Sequence, residues 1–197
     1  KIIRCMREAA ASLELPLPSE EAVRNIIGLG LKEAVLLLYP GFNEEQVLAL
    51  TAAYSECFVR ADQSPCEFYP NVLSSLDQLR AQGHQLAVAT GKSRRGLSRV
   101  LGSLAMEDYF VSTRCADETA SKPDPLMLMQ LLAETNTEAA QAVMVGDTEY
   151  DLEMAQRSGM ASIGVAYGAH SVARLEKWMP RKIMQDFDEI HELIANF

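Results

Sequence analysis

Asp147 and Asp151 stand four residues apart directly after an apolar run, Ala142-Val-Met-Val, that ends in Gly146. A buried strand over that run delivers Asp147 to its carboxyl end, and a helix starting there sets Asp151 one turn later. Two carboxylates at this spacing suit a hard divalent cation such as Mg²⁺, which takes oxygen ligands and offsets their mutual repulsion. The same spacing also serves a plainer purpose, with Asp147 as helix N-cap and Asp151 complementing the helix dipole. Thr90 and Lys122 favour the chemical reading. Thr90 closes a second apolar run, Gln85-Leu-Ala-Val-Ala, and Gly91-Lys92-Ser93 follows it. A hydroxyl, a glycine turn and free amides at a helix N-terminus together make a phosphate cradle. Lys122 sits in Ala120-Ser-Lys-Pro-Asp-Pro125, where Pro123 and Pro125 stiffen the backbone and hold an ammonium ready to balance phosphate charge. A nucleotide P-loop is excluded, because Leu86 stands where its first glycine would be.

The elements that position these residues follow from periodicity. Short β runs cover 85–90, 109–113, 142–146 and 162–167, and helical patterns follow at 93–101, 124–134 and 149–158, with polar helices running out to Phe197. Such alternation implies right-handed crossovers and a doubly wound α/β core, Rossmann-like, with one parallel sheet covered on both faces. Ligands then bind outside the carboxyl ends of the strands, where Thr90, Lys122 and the aspartates fall. Residues 1–65 instead read as an all-helical unit, and 66–197 as the α/β core. Ile2, Ile3, Met6, Ala9, Ala10 and Leu13 recur at helical spacing until Pro16 and Pro18. Ser19 caps a second helix that runs to Gly28-Leu-Gly30, a third covers 32–38, and Asn43 caps a fourth over 44–60. A helix over 71–81 ends at Gly83.

Bulk properties narrow the function further. With 197 residues the chain can bury one core plus a small accessory unit. A net charge of -9 argues against nucleic acid or an anionic membrane as the main partner. The one dense basic patch, Lys92, Arg94, Arg95 and Arg99, reads as a solvated helix face. Cys5, Cys57, Cys66 and Cys115 form no CxxC pair, which points to free thiols and a cytoplasmic protein. No apolar run approaches the ~18–20 residues of a membrane span. His84, His170 and His191 read as solvated, and Trp178 and the nine methionines as packing residues.

Val88-Ala-Thr90-Gly-Lys, Ser121-Lys122-Pro-Asp-Pro and Val145-Gly-Asp147-Thr-Glu-Tyr-Asp151 together resemble the second, third and fourth motifs of the haloacid dehalogenase-like hydrolases. The likeness is greatest to the branch similar to phosphoglycolate phosphatase, in which a helical cap is inserted into the core. It covers essentially the whole chain. The resemblance implies a Mg²⁺-dependent phosphatase acting on a small phosphorylated metabolite through an aspartyl-phosphate. Thr90 and the Gly91 amide would bind the phosphoryl group, Lys122 would neutralise its charge, and Asp147 and Asp151 would be Mg²⁺ ligands. Residues 1–65 would be the cap, with Arg24 and the Gly28-Leu-Gly30 turn contributing to substrate choice, and the protein a monomer or weak homodimer. The family's first motif, Asp-x-Asp-Gly-Thr, supplies nucleophile and general acid/base from the first central strand. That strand and both aspartates are expected upstream of residue 1, and without them the sheet would keep an apolar slot. The alternatives are a non-catalytic phosphate-binding or scaffold protein of the same fold, or a phosphomutase. A phosphoacceptor signalling domain places its acids before Thr and Lys, the reverse of the order here.

Overall fold

The computed structural model describes residues 1–61 and 67–195, and the chain divides into two compact units, Lys1–Pro65 and Cys66–Phe197. The boundary expected at 65/66 lies outside the described residues, as do Asp62, Cys66 and Phe197. The first unit contains α1 (Ile2–Ser12), α2 (Glu20–Asn25), α3 (Leu31–Leu38) and α4 (Glu44–Arg60). One face of α1 buries Cys5, Met6, Ala9 and Ala10, and both α1 and α3 pack against α4. Ser19 caps α2 by accepting from the Ala22 amide at 3.0 Å. Asn43 and Gln46 form a reciprocal capping box at the start of α4. α2 is shorter than the sequence pattern suggests, because the chain turns at Ile26 and passes through a left-handed Gly28.

The second unit runs α5 (Val72–Ala81), β1 (Ala87–Thr90), α6 (Arg94–Ser103), β2 (Ser112–Cys115), α7 (Leu126–Thr135), β3 (Val143–Gly146), α8 (Glu149–Arg157), β4 (Ala161–Val165), α9 (Val172–Leu175), β5 (Ile183–Met184) and α10 (Ile190–Ile194). β1 pairs with β2 in parallel, with Thr90 opposite Cys115. β3, β4 and β5 form a second parallel sheet in that order. The side chains of β3 alternate between two helical layers, as a pleated strand requires. Met144 joins Met127, Leu128, Leu131 and Met154 of α7 and α8, while Val143 and Val145 join Leu79 of α5 and Ile190 of α10. Ala89 of β1 lies in the α7–α8 cluster, and Val88 packs with Leu97 and Leu101 of α6. The core is therefore parallel α/β with helices on both faces.

Four sequence expectations change. The single sheet is two sheets: β1 and β3 share helical layers but do not pair with each other. The β run expected at 109–113 begins at Ser112, because Tyr109 and Phe110 pack edge to face in the α6 cluster instead of entering the ladder. A fifth strand occupies part of the stretch expected to be helical. With only Ile183 and Met184 it carries no period of its own, and pairing with Gly164 and Val165 defines it. Met179 and Met129 are largely exposed, so those two methionines are not packing residues as expected.

Glu189 secures the carboxyl end of β5. Its carboxylate lies 2.5 Å from Lys182 and accepts from the Gln185 and Asp186 amides. The lysine, and then those amides, hold its pKa down at about 2. A carboxyl depressed in the folded state contributes stability that is complete above its unfolded value of about 4.3 and is lost as pH falls through the folded value. Protection of the Gln185 and Asp186 amides against exchange, relative to their intrinsic rates, should therefore fall between about pH 4.3 and about pH 2, and Glu189→Ala should show the lower protection already at pH 7.

Candidate active site

Gly146 ends β3 and turns the chain into α8 under close confinement. A Cβ at that position would lie 2.2 Å from the Cβ of Asp151, so only glycine allows the helix to start there. Thr148, not Asp147, is the N-cap. Its amide and hydroxyl donate to Asp151 Oδ2 at 3.0 and 2.7 Å, and its hydroxyl oxygen accepts weakly from the Asp151 amide at 3.4 Å. The other oxygen of Asp151 meets Lys122 Nζ at 2.5 Å. Both side chains of this ion pair are buried, 7% and 4% exposed. Asp151 thus has one oxygen committed to the ammonium and one to the cap. The carboxylate pair is divided between two tasks, and Asp147 alone retains an open oxygen.

Asp147 is half-buried at the strand end. Its Oδ2 accepts from the Ala169 amide at 2.9 Å, and its Oδ1 has no partner among the described residues. The segment 166–170 after β4 closes on it so tightly that a Cβ on Gly168 would lie 2.0 Å from the Asp147 Cβ. No cluster of three His, Cys, Asp or Glu among the described residues forms a ready metal cage. A single open carboxylate oxygen at a strand end fits Mg²⁺, which keeps several waters and takes the rest of its shell from substrate phosphate.

Thr90 Oγ accepts from the Lys92 amide at 3.2 Å, leaving its own O–H to donate. The cradle of helix amides expected beyond it is filled from within. The Arg94 amide donates to both Asp117 oxygens at 2.9 and 3.2 Å, and Ser93 caps the Gly96 amide at 3.2 Å. The Thr90 hydroxyl proton and the Gly91 amide are not among the groups filled in this way. Arg94 is not part of a solvated face either: its guanidinium binds Glu118 at 2.6 Å and Thr113 at 2.7 Å. That contact is the main reason the Glu118 carboxyl lies below its usual range.

The Lys122–Asp151 contact joins the loop after β2 to the helix after β3, so the carboxyl ends of the two sheets meet there. Thr90, opposite Cys115 in register, closes β1 on the same edge. Lys122 and Asp151 are in direct contact, with Asp147 one turn away, and Thr90 and Gly91 stand at the end of β1 in the other sheet. Arg24 is exposed in the last turn of α2, in the first unit. His170, which the sequence suggests is solvated, is 3% exposed and accepts from the Glu149 amide through Nδ1 at 3.1 Å. A strand end followed by Tyr-Gly-Ala-His is the signal that could have marked it.

The model of the haloacid dehalogenase-like hydrolases matches residues 1–165. The chain belongs to that family. A "probable phosphatase IndB" of Dickeya dadantii is 34% identical over 194 residues, covering 96% of this chain and 84% of that protein. A phosphoglycolate phosphatase of Vibrio parahaemolyticus is 24% identical over 196 residues, 95% of this chain and 86% of that one. Among solved structures, a hydrolase from Pseudomonas syringae superposes with a TM-score of 0.88 at 17% identity, covering 99% of this chain and 90% of that one. A haloacid dehalogenase-like family protein from Streptococcus pneumoniae gives 0.80 at 18%, covering 98% and 89%. These structures share the fold.

For this haloacid dehalogenase-like hydrolase the two aspartates should separate cleanly in stability. Asp151→Asn leaves a buried ammonium without its counterion and should cost about 3–5 kcal/mol. Asp147→Asn keeps an acceptor for the Ala169 amide and should cost no more than about 1 kcal/mol. Urea denaturation of both variants checks the contrast.

Proposed function

We propose that this protein is a Mg²⁺-dependent phosphatase of small phosphomonoesters that works through an aspartyl-phosphate. The observation that carries the reading is the division of the acidic pair: Asp151 holds Lys122 in place, while Asp147 keeps a free oxygen on the same edge. Phosphoryl transfer leaves little covalent work to a protein beyond the nucleophile, so fixed positive charge and placed donors do most of the catalysis.

In this reading the nucleophile is the aspartate of the family's first motif. A strand seated between β1 and β3 would unite the two sheets and deliver it beside Thr90 and Asp147. Its carboxylate attacks phosphorus, the P–O bond to the alcohol breaks, and water then cleaves the acyl phosphate to release inorganic phosphate. Thr90 donates its hydroxyl proton to a phosphoryl oxygen, while the Lys92 amide keeps the lone pair on that hydroxyl engaged. The Gly91 amide is a second donor. Lys122, whose position Asp151 sets, neutralises charge on the nucleophile and the phosphoryl oxygens. Asp147, with Oδ1 open, would hold Mg²⁺, and the ion when bound would supply charge neutralisation at the phosphoryl group. Arg24 and the helical unit choose the substrate. The buried free thiols Cys5, Cys57 and Cys115 suit a cytoplasmic setting, and no described helix is long and apolar enough to cross a membrane.

The test is release of phosphate from a panel of phosphomonoesters by the natural protein. Phosphoglycolate belongs in the panel because relatives carry that activity in their names. Turnover should require Mg²⁺ and stop with EDTA. Thr90→Val should lower kcat about 100-fold or more, the scale seen when one preorganised donor is removed. Asp147→Asn should abolish the Mg²⁺ requirement together with turnover. Near-normal Mg²⁺-dependent activity in that variant would overturn the metal assignment.

A further inference from the structure

We infer that His170 is the positioning residue that sets the metal-facing carboxylate of Asp147. The inference rests on the reading of Asp147 as the Mg²⁺ ligand and extends it to a residue in a different element. After β4 the chain folds back on the start of α8, and three hydrogen bonds clasp the two segments. The Ala169 amide donates to Asp147 Oδ2 at 2.9 Å, and the His170 amide donates to the Asp147 carbonyl at 3.1 Å. The Glu149 amide donates to His170 Nδ1 at 3.1 Å. The last of these is the only one made by a side chain from the loop.

The Glu149 amide is the first of α8 and one of those a helix leaves without an internal partner. Thr148 serves the third turn position, so His170 supplies the complementary cap from 21 residues along the chain. Its imidazole is 3% exposed and lies edge-on to Tyr150, with centroids 5.4 Å apart. With Nδ1 accepting, the ring has one orientation, and the backbone of 168–170 has one distance from Asp147. That distance is short enough that Gly168 has no room for a Cβ. The Ala169 amide therefore holds one carboxylate oxygen and turns the other away from the loop. Groups that orient a metal-binding carboxylate in this way carry about 10–100-fold in metal affinity.

Three variants separate an acceptor from mere filling. His170→Asn places its amide oxygen at the branch position of Nδ1 and can accept the Glu149 amide. His170→Phe keeps a buried ring without an acceptor. His170→Gln puts its acceptor one bond too far and takes the place of His170→Phe should that variant not fold. Mn²⁺ is titrated into each protein and free ion is read by electron paramagnetic resonance, with folding followed by thermal denaturation. We expect the Phe or Gln variant to bind Mn²⁺ about 10–100-fold more weakly and the Asn variant to stay within about threefold of the parent. Parental affinity in the Phe or Gln variant, or an equal loss in a folded Asn variant, overturns the role of His170. Asp147→Asn is titrated alongside. If it binds Mn²⁺ like the parent, the reading of Asp147 itself fails, and His170 has no metal ligand to position.

Discussion

A buried ammonium must have a counter-charge, and in this molecule that requirement links most of the carboxyl edge of the strands. Lys122 and Asp151 are both withdrawn from water, and removing either one would leave an isolated charge in a medium that solvates it poorly. Meeting the requirement dictates the start of α8. Asp151 must face inward one turn from the strand end, so residue 146 must lack a side chain. Thr148 must then saturate the remaining carboxylate oxygen. The same pair joins the loop after β2 to the helix after β3, and so brings together polar groups from two sheets whose strands do not pair with each other. Ion pairs of this type are weak sources of net stability, and this one is better understood as fixing where a positive charge stands.

Around that pair the polar groups of the edge fall into two sets. Asp151, Thr148, Asp117 and Ser93 are engaged with other parts of the protein, and they hold loops and helix ends in place. The Oδ1 of Asp147 and the hydroxyl proton of Thr90 are the complementary set, left with capacity to bind. The burden of order therefore lies on internal contacts, and the groups with capacity to spare are few and already oriented. Such preorganisation is what charge stabilisation in a phosphoryl-transfer site demands, because donors that need not reorganise act at full strength.

Much of this was legible in the sequence because it depends on local periods. The run 142–146 and the four-residue spacing of Asp147 and Asp151 specify a strand end and the first turn of a helix without any tertiary information. Ser19 and Asn43 announce their helices in the same way, since an N-cap acts on amides two or three residues ahead. The distant partnerships were not legible. Nothing local says that Lys122 meets Asp151 across 29 residues, or that His170 is buried against Glu149 and not solvated. Nor could the loop after β1 show that Asp117 fills the end of α6. β5 has two residues and exists only because β4 is beside it. The division of the sheet depends likewise on which strands lie side by side.

The central claim is that Lys122 is buried to place a charge and not to stabilise the fold. A double-mutant cycle over Lys122→Met and Asp151→Asn, with urea stability and phosphatase turnover measured on every corner, tests it most directly. The Asn side chain still serves Thr148, and the methionine fills the lysine channel without a charge. The account predicts that the double variant regains most of the roughly 3–5 kcal/mol lost by Asp151→Asn alone, yet has no turnover. A double variant that remains as unstable as the single one, or that is stable and still hydrolyses phosphomonoesters, would contradict it.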